Sequence, residues 1–299
     1  MASPITLAGL FEGDIVVASI QELINIIYGG RSAIRRRHWT GGIIPYVISD
    51  EYNSEERRVI AHAIVTYEDN TCIRIVPRTT EEDYIHIYKG SGCSSYVGRA
   101  GGRQGLSLAR DCLYKGIVLH EMMHAAGFWH EQSRYDRDDH VRIMWDNIIE
   151  ENHFNFGKQG QGISTLLGLA YDYASVMHYG PFAFAKDRTK PSIITKVPGA
   201  DITYKMNFSQ LDLQGLNILY KCPATVVTTP RPQITTRPPQ PPPPPTRPTQ
   251  PPTPVCRDRH RRCSYWARYG HCYSSSRFMT TYCPRSCQRC YVWYTVLYP

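Results

Sequence analysis

The sequence predicts an α+β domain of mixed sheet and helices, followed on a proline-rich stalk by a small disulfide-rich domain. Three observations carry that prediction. Between residues 43 and 126, β-patterned runs and one amphipathic helical pattern lead into a second helix that stops at Gly127. Fourteen of the 22 prolines lie between Pro223 and Pro254, and six of the ten cysteines fall between Cys256 and Cys290. With 299 residues the chain exceeds what one small domain needs, so two or three units are expected.

Taken in order, IIPYVI (43–48) reads as a strand. Ser54 with Glu55 and Glu56 marks a helix start, and Val59, Ile60, Ala63, Ile64 and Tyr67 recur on one face, so 54–69 is predicted as a helix covering a sheet. IRIV (73–76) and the alternating YIHIY (84–88) are strand candidates, and LSLA (106–109) follows a glycine-rich turn. KGIVLHEMMHAAG predicts a second helix from Lys115 to Ala126, ended by Gly127. Residues 140–205 are expected to be loop-rich until FSQLDLQGLNILY, where Ser209 starts a final helix. A mean hydropathy of -0.38 and the lack of an 18-residue apolar run argue against a membrane-spanning helix.

The net charge of +8 is unevenly distributed. Residues 1–31 carry one Arg against three acids, residues 32–222 carry 22 basic against 22 acidic groups, and residues 223–299 carry 11 Arg against Asp258 alone. The excess belongs to the C-terminal end, where it suits an acidic matrix polymer better than nucleic acid.

Cys72, Cys93, Cys112 and Cys222 form one group of cysteines; the other packs six into 35 residues, the density of a three-bridge domain from an oxidising compartment. The chain is therefore expected to be secreted and extracellular. Cys287 and Cys290 also have the spacing of a zinc-ligand pair, but no second CxxC accompanies them. MASPITLAGLFEGD has no basic leader region and meets acids at Glu12 and Asp14, so no signal peptide is expected within this sequence. The proline block reads as an extended polyproline II spacer, open to O-glycosylation on its Thr residues, or as a proline-motif ligand.

The second predicted helix carries His120, Glu121 and His124 as HEMMH. Imidazoles at i and i+4 project from one helical face and can share one metal ion. Composition alone would produce such a match in about one chain of this size in a hundred. Gly127 lets the backbone turn out of the helix and His130 brings a third imidazole back, which lowers the chance expectation to about one in 100,000. Three His ligands leave a fourth position for water, the pattern of a catalytic zinc site, and Glu121 is placed to take that water's proton.

HEMMHAAGFWHEQSRYDRDD, followed by SVMHY (Ser175 to Tyr179), resembles the astacin family of metzincin zinc endopeptidases over nearly all of residues 32–222. The resemblance implies a two-lobed catalytic domain with zinc in the cleft, held by His120, His124 and His130. It further implies Glu121 as general base and Met177 in a Met-turn beneath the metal. Tyr179 would ligate zinc in the resting enzyme and then stabilise the oxyanion. Bridges Cys72–Cys222 and Cys93–Cys112 follow from the same likeness. FEGDI (11–15) resembles the family's propeptide latch, in which Asp14 takes the position of the water, so residues 1–31 are expected to keep the enzyme a zymogen. The activating cut is expected after Arg31, with Arg35, Arg36 and Arg37 as alternatives, and the new N-terminus at Ser32 would lie near Glu131.

Residues 256–290 resemble a ShK-type (ShKT) domain, which implies Cys256–Cys290, Cys263–Cys283 and Cys272–Cys287 among fifteen possible connectivities. Where toxins of this fold carry a Lys-Tyr dyad the chain has Arg277 and Phe278, so an anchoring role is favoured over channel block. Residues 223–255 are then linker and 291–299 an aromatic tail; Asn207 heads a glycosylation tripeptide. The astacin–ShKT combination resembles nematode enzymes, with protein substrates of matrix, cuticle or digestive origin. The competing class is an inactive binding scaffold whose ShKT module engages a partner. The subsites lie on loops whose geometry is not legible here, so no cleavage preference is expected.

Overall fold

In a computed structural model the described residues are 10–17, 38–160, 166–223 and, further on, 257–259, 263–268, 272, 279 and 282–287. The chain divides into two compact units, Met1–Pro223 and Ala224–Pro299. The first begins with β1 (Ile15–Val16), β2 (Ile43–Ile48), α1 (Ser54–Asn70), β3 (Arg74–Pro77), β4 (Tyr84–Tyr88), β5 (Cys93–Tyr96), β6 (Arg103–Leu108) and α2 (Lys115–Ala125). Its six strands form one sheet in the order β1-β5-β6-β4-β2-β3. β2 runs parallel to β3 and β4, and β4 parallel to β6; β5 is antiparallel to β6, and β1 lies parallel to β5 at the sheet edge.

α1 starts where its acidic signal lies, but Asn53 is the capping residue. The Asn53 carboxamide oxygen accepts from the amides of Glu55 and Glu56, and the Glu56 carboxylate accepts from the Asn53 amide at 2.8 Å. Ile60, Ile64 and Tyr67 of α1 enter the main core with Ile44, Ile75, Ile87 and Leu106 of the sheet. The Tyr67 hydroxyl donates to the Leu119 carbonyl at 2.8 Å, which ties α1 to α2. KGIVLHEMMHA offers no polar stripe, and α2 is accordingly buried from Gly116 to Ala125. The helix bearing the histidines is thus enclosed on all sides.

Several boundaries depart from expectation. The strand read at 73–76 is Arg74–Pro77, and that read at 106–109 is the end of a strand beginning at Arg103. Arg-Gln-Gly has little strand character; Gly105 sits there because a Cβ would stand 3.0 Å from the Tyr88 ring. CSSY in β5 has no alternation, yet its first three residues are buried. Beyond α2 the chain is irregular as expected, built on short 3-10 turns, although β7 (Val141–Ile143) and β8 (Ile193–Thr195) pair antiparallel within it. Three-residue strands are too short for a periodic signal. α3 (Gln210–Leu219) closes the unit with Ser209 as N-cap, its hydroxyl accepting from the Asp212 amide at 2.8 Å.

Cys72–Cys222 joins the end of α1 to the segment after α3 across 150 residues. In the chain-entropy account such a closure contributes about 5 kcal/mol. Cys93–Cys112 fixes the start of β5 to the turn before α2. In the second unit, α4 (Cys263–Arg268) is held by Cys263–Cys283, and Cys272 bonds Cys287. Asp258 accepts from the amides of Arg285 and Ser286 and from the Ser286 hydroxyl, so the one acid of the C-terminal segment caps a turn. Cys256–Cys290, Arg277, Phe278, Arg31, Ser32, Arg35, Arg36, Arg37, the linker from 224 to 255 and the tail at 291–299 lie outside the described residues. Among the described residues no helix is long and apolar enough to cross a membrane.

Gly116 near the start of α2 leaves no room for a side chain, because a Cβ there would meet the Lys205 carbonyl oxygen at 2.0 Å. Gly116→Ala is expected to destabilise the first unit by about 1–3 kcal/mol. Urea unfolding of the full chain measures it; an unchanged midpoint would show that the 204–205 loop yields freely.

Candidate active site

α2 presents His120 and His124 one turn apart, and Gly127 at φ 112 turns the chain so that His130 faces them. The three rings lie with centroids 4.6 to 5.1 Å apart. Each is turned by a bond to its Nδ1. His120 donates to the Val176 carbonyl at 2.7 Å, His124 to the Phe128 carbonyl at 2.8 Å, and His130 meets the Glu12 carboxylate at 2.7 Å. All three Nε2 atoms therefore point to one spot.

Asp14 occupies the far side of that spot. Its carboxylate oxygens stand 3.1 Å from His120 Nε2, 3.5 Å from His124 Nε2 and 3.4 Å from His130 Nε2, and all four side chains are buried. One ligand atom from each lies within 4.8 Å of every other. Asp14 Oδ1 and His124 Nε2 are buried without a hydrogen-bond partner. Orphaned lone pairs converging on one point, in a set of three imidazoles and one carboxylate, fit a tetrahedral divalent zinc ion. Burial opposes charge on Asp14, but His130 and His124 together with the His120 hydrogen bond outweigh it and hold its carboxyl well below the usual range.

Glu121 is fully buried next to His120, and neither of its carboxylate oxygens has a partner. Burial first, and the Asp14 charge second, push its carboxyl well above the ordinary value. A carboxylate left bare beside three converged imidazoles is unexplained by folding and suits proton transfer.

The segment after residue 170 closes the site from below. Met177 is buried, and its carbonyl accepts from the Glu131 amide at 3.0 Å. Asp212, at the N-terminus of α3, accepts from the Ser175 hydroxyl and the Val176 amide, so the α3 cap, the Met177 turn and His120 form one chain of bonds. Tyr179 is buried against the His130 ring, with its amide held by Gln132 at 2.9 Å. Its hydroxyl donates to the Glu12 carbonyl, so with residues 10–17 in the cleft this group is engaged by main chain. Asp14 stands in the fourth position.

Glu131 borders a cavity of about 120 Å³ whose wall also includes His38, Gly127, Asp172 and Asp212. Its carboxylate accepts from the Asp172 amide at 2.8 Å and pairs with Arg134 at 3.0 Å. Burial lifts its carboxyl to about 7 despite Arg134. Gln132, His178, Asp212 and Glu12 were not singled out from sequence. Gln132, His178 and Glu12 lie inside the recognised motifs and Asp212 in the Ser209 capping box, but their roles rest on partners distant in the chain.

The family model for the astacin peptidases matches residues 32–221, and a ShK domain-like model matches residues 255–290. Zinc metalloproteinase nas-15 of Caenorhabditis elegans is 41% identical over 308 residues, spanning 94% of this chain and 54% of that protein. Zinc metalloproteinase nas-13 of the same organism is 38% identical over 94% of this chain, which covers 73% of it. The chain thus spans about half the length of the first of these relatives. High choriolytic enzyme 1, a hatching enzyme zinc-protease of Oryzias latipes, superposes with a TM-score of 0.59 at 43% identity. That match covers 62% of this chain and 94% of the solved one.

His178 is bound as a neutral ring, donating from Nδ1 to the Tyr179 carbonyl at 2.7 Å while its Nε2 accepts from the Tyr171 hydroxyl at 2.8 Å. Burial depresses its pKa from 6.5 to about 4. The folded ring takes a proton less readily than an unfolded one, so its stability is fully present above pH 6.5 and is lost as pH falls through about 4. Over that window the wild type should lose about 3 kcal/mol more than His178→Gln. Urea unfolding of both at pH 7 and at about pH 4 measures the difference; parallel losses would mean the ring is not the titrating group.

Proposed function

The chain belongs to the astacin family of zinc metalloproteinases, and on that premise we propose that it is a secreted, extracellular endopeptidase made as a zymogen, cleaving peptide bonds of proteins. The observation that carries this reading is the convergence of three imidazole Nε2 atoms beside the bare, buried carboxylate of Glu121. His120, His124 and His130 would hold the zinc, which when bound would supply Lewis-acid activation of water and of the scissile carbonyl.

The protein groups do the rest. Glu121, desolvated and next to the ligands, accepts the proton of the attacking water and returns it to the leaving amine. The Tyr179 hydroxyl, released from Glu12, donates to the developing oxyanion. Met177 supports the ligands from beneath through its turn, and the Val176 carbonyl fixes the orientation of His120.

Residues 1–31 act as the latch, with Asp14 at the position the water needs. Cleavage after Arg31 would free Ser32, six residues before His38. Six residues reach at most about 20 Å, and His38 already lines the cavity beside Glu131. A new ammonium group there would find Glu131 as its partner, coupling activation to the segment between His130 and Met177. The basic ShK-like domain is read as an anchor for an acidic extracellular component.

Removal of residues 1–31 should yield an endopeptidase that a zinc chelator inactivates. In that activated form, Glu121→Gln is expected to keep zinc in full stoichiometry and lower kcat/KM by about 10²–10⁴. Metal analysis alongside a peptide assay decides it. Wild-type turnover in the zinc-loaded variant would remove Glu121 from the proton-transfer role.

A further inference from the structure

The three ligands differ in who supplies their outer hydrogen bond. His120 and His124 use carbonyls of the catalytic unit, Val176 and Phe128, which remain after activation. His130 uses Glu12, which lies upstream of the expected cut.

Glu12 is held unusually firmly for a residue of so short a segment. It is fully buried, its φ is 47, and Gly13 follows at φ 85. Left-handed backbone disfavours a non-glycine residue, so a turn needing only that backbone would be better served by glycine or asparagine. Every acceptor of Glu12 faces the site. One carboxylate oxygen meets His130 Nδ1 at 2.7 Å, the other accepts from the Gln159 carboxamide at 2.7 Å, and the carbonyl accepts from the Tyr179 hydroxyl. Turn bonds from Gly13 to Leu10 and from Ile15 to Phe11, with Phe11 packed edge-on to Trp129, fix the peptide around it.

We propose that Glu12 is a second latch beside Asp14: its carboxylate is the outer partner of ligand His130, and its carbonyl occupies the Tyr179 hydroxyl. Asp14 closes the metal position, while Glu12 locks the geometry of one ligand and silences the oxyanion donor. A carboxylate on the far nitrogen of a ligating imidazole fixes its tautomer and raises its basicity. The zymogen therefore holds zinc more tightly through Glu12, and activation removes that support together with Asp14. The inference rests on the zymogen reading above.

The test compares full-length wild-type, Glu12→Ala and Glu12→Gln zymogens. Zinc transfer to a chromogenic chelator is followed, with peptide hydrolysis recorded before and after removal of residues 1–31. Outer-partner loss typically changes metal affinity 10–100-fold, so Glu12→Ala should release zinc faster by about that factor, while Asp14 still keeps it silent until residues 1–31 are removed. Glu12→Gln, which keeps an acceptor oxygen but not its charge, should fall between, at about threefold or more over wild type. After activation all three are the same polypeptide and must behave identically. A folded Glu12→Ala zymogen that releases zinc at the wild-type rate overturns the proposal. Where that variant does not fold, wild-type release by Glu12→Gln overturns it instead. Equal wild-type turnover before and after cleavage would refute latency, a separate failure that the zinc-release comparison does not share.

Discussion

The structure depends on one requirement: three imidazoles and a carboxylate, all shut away from water, must aim their lone pairs at a single point. Nothing in a hydrocarbon core would bring them there, since each buried polar atom without a partner costs of order 1–3 kcal/mol. The surrounding architecture can be understood as what makes that convergence tolerable. α2 is enclosed on every face, the rings are pinned through their outer nitrogens, and the Met177 turn is stapled to α3 by Asp212. A metal ion would then complete an arrangement already held by the protein.

That arrangement links parts of the chain that are far apart in sequence. Asp212, on the last helix of the unit, reaches His120 through Val176 of the Met177 turn. Glu131 follows ligand His130 directly, accepts from Asp172 and faces the cavity. Residues from distant parts of the unit are thus joined by hydrogen bonds to the imidazole centre.

Legibility from sequence followed the range of the interactions. His120, Glu121, His124, Gly127 and His130 lie within eleven residues, and a helical period plus one turn places them, so the centre could be read from the chain alone. α1 was visible because its apolar spacing repeats over several turns, and α2 because its His–Glu–His spacing and the Gly127 stop mark it. β5, β7 and β8 were not, being three or four residues of side chains whose burial is decided by what packs on them. Glu12 and Asp212 stayed hidden for a different reason. Their local context, a helix cap for Asp212 and the FEGDI segment for Glu12, does not reveal partners that lie 36 and 118 residues away.

The strand β1 pairs parallel with β5, which makes β5 an inner strand only while the first residues of the chain remain. Without them, the outer face of β5 at Ser95 and Tyr96 presents unpaired amides and carbonyls next to the imidazole centre. Such an edge accepts any extended peptide through main-chain bonds that ignore side-chain identity. It also invites other copies of the protein, because open edges are where sheets aggregate. On the proposed zymogen reading, the same short strand would cover both the imidazole centre and this adhesive border. Opening the site and baring that edge would then be a single event.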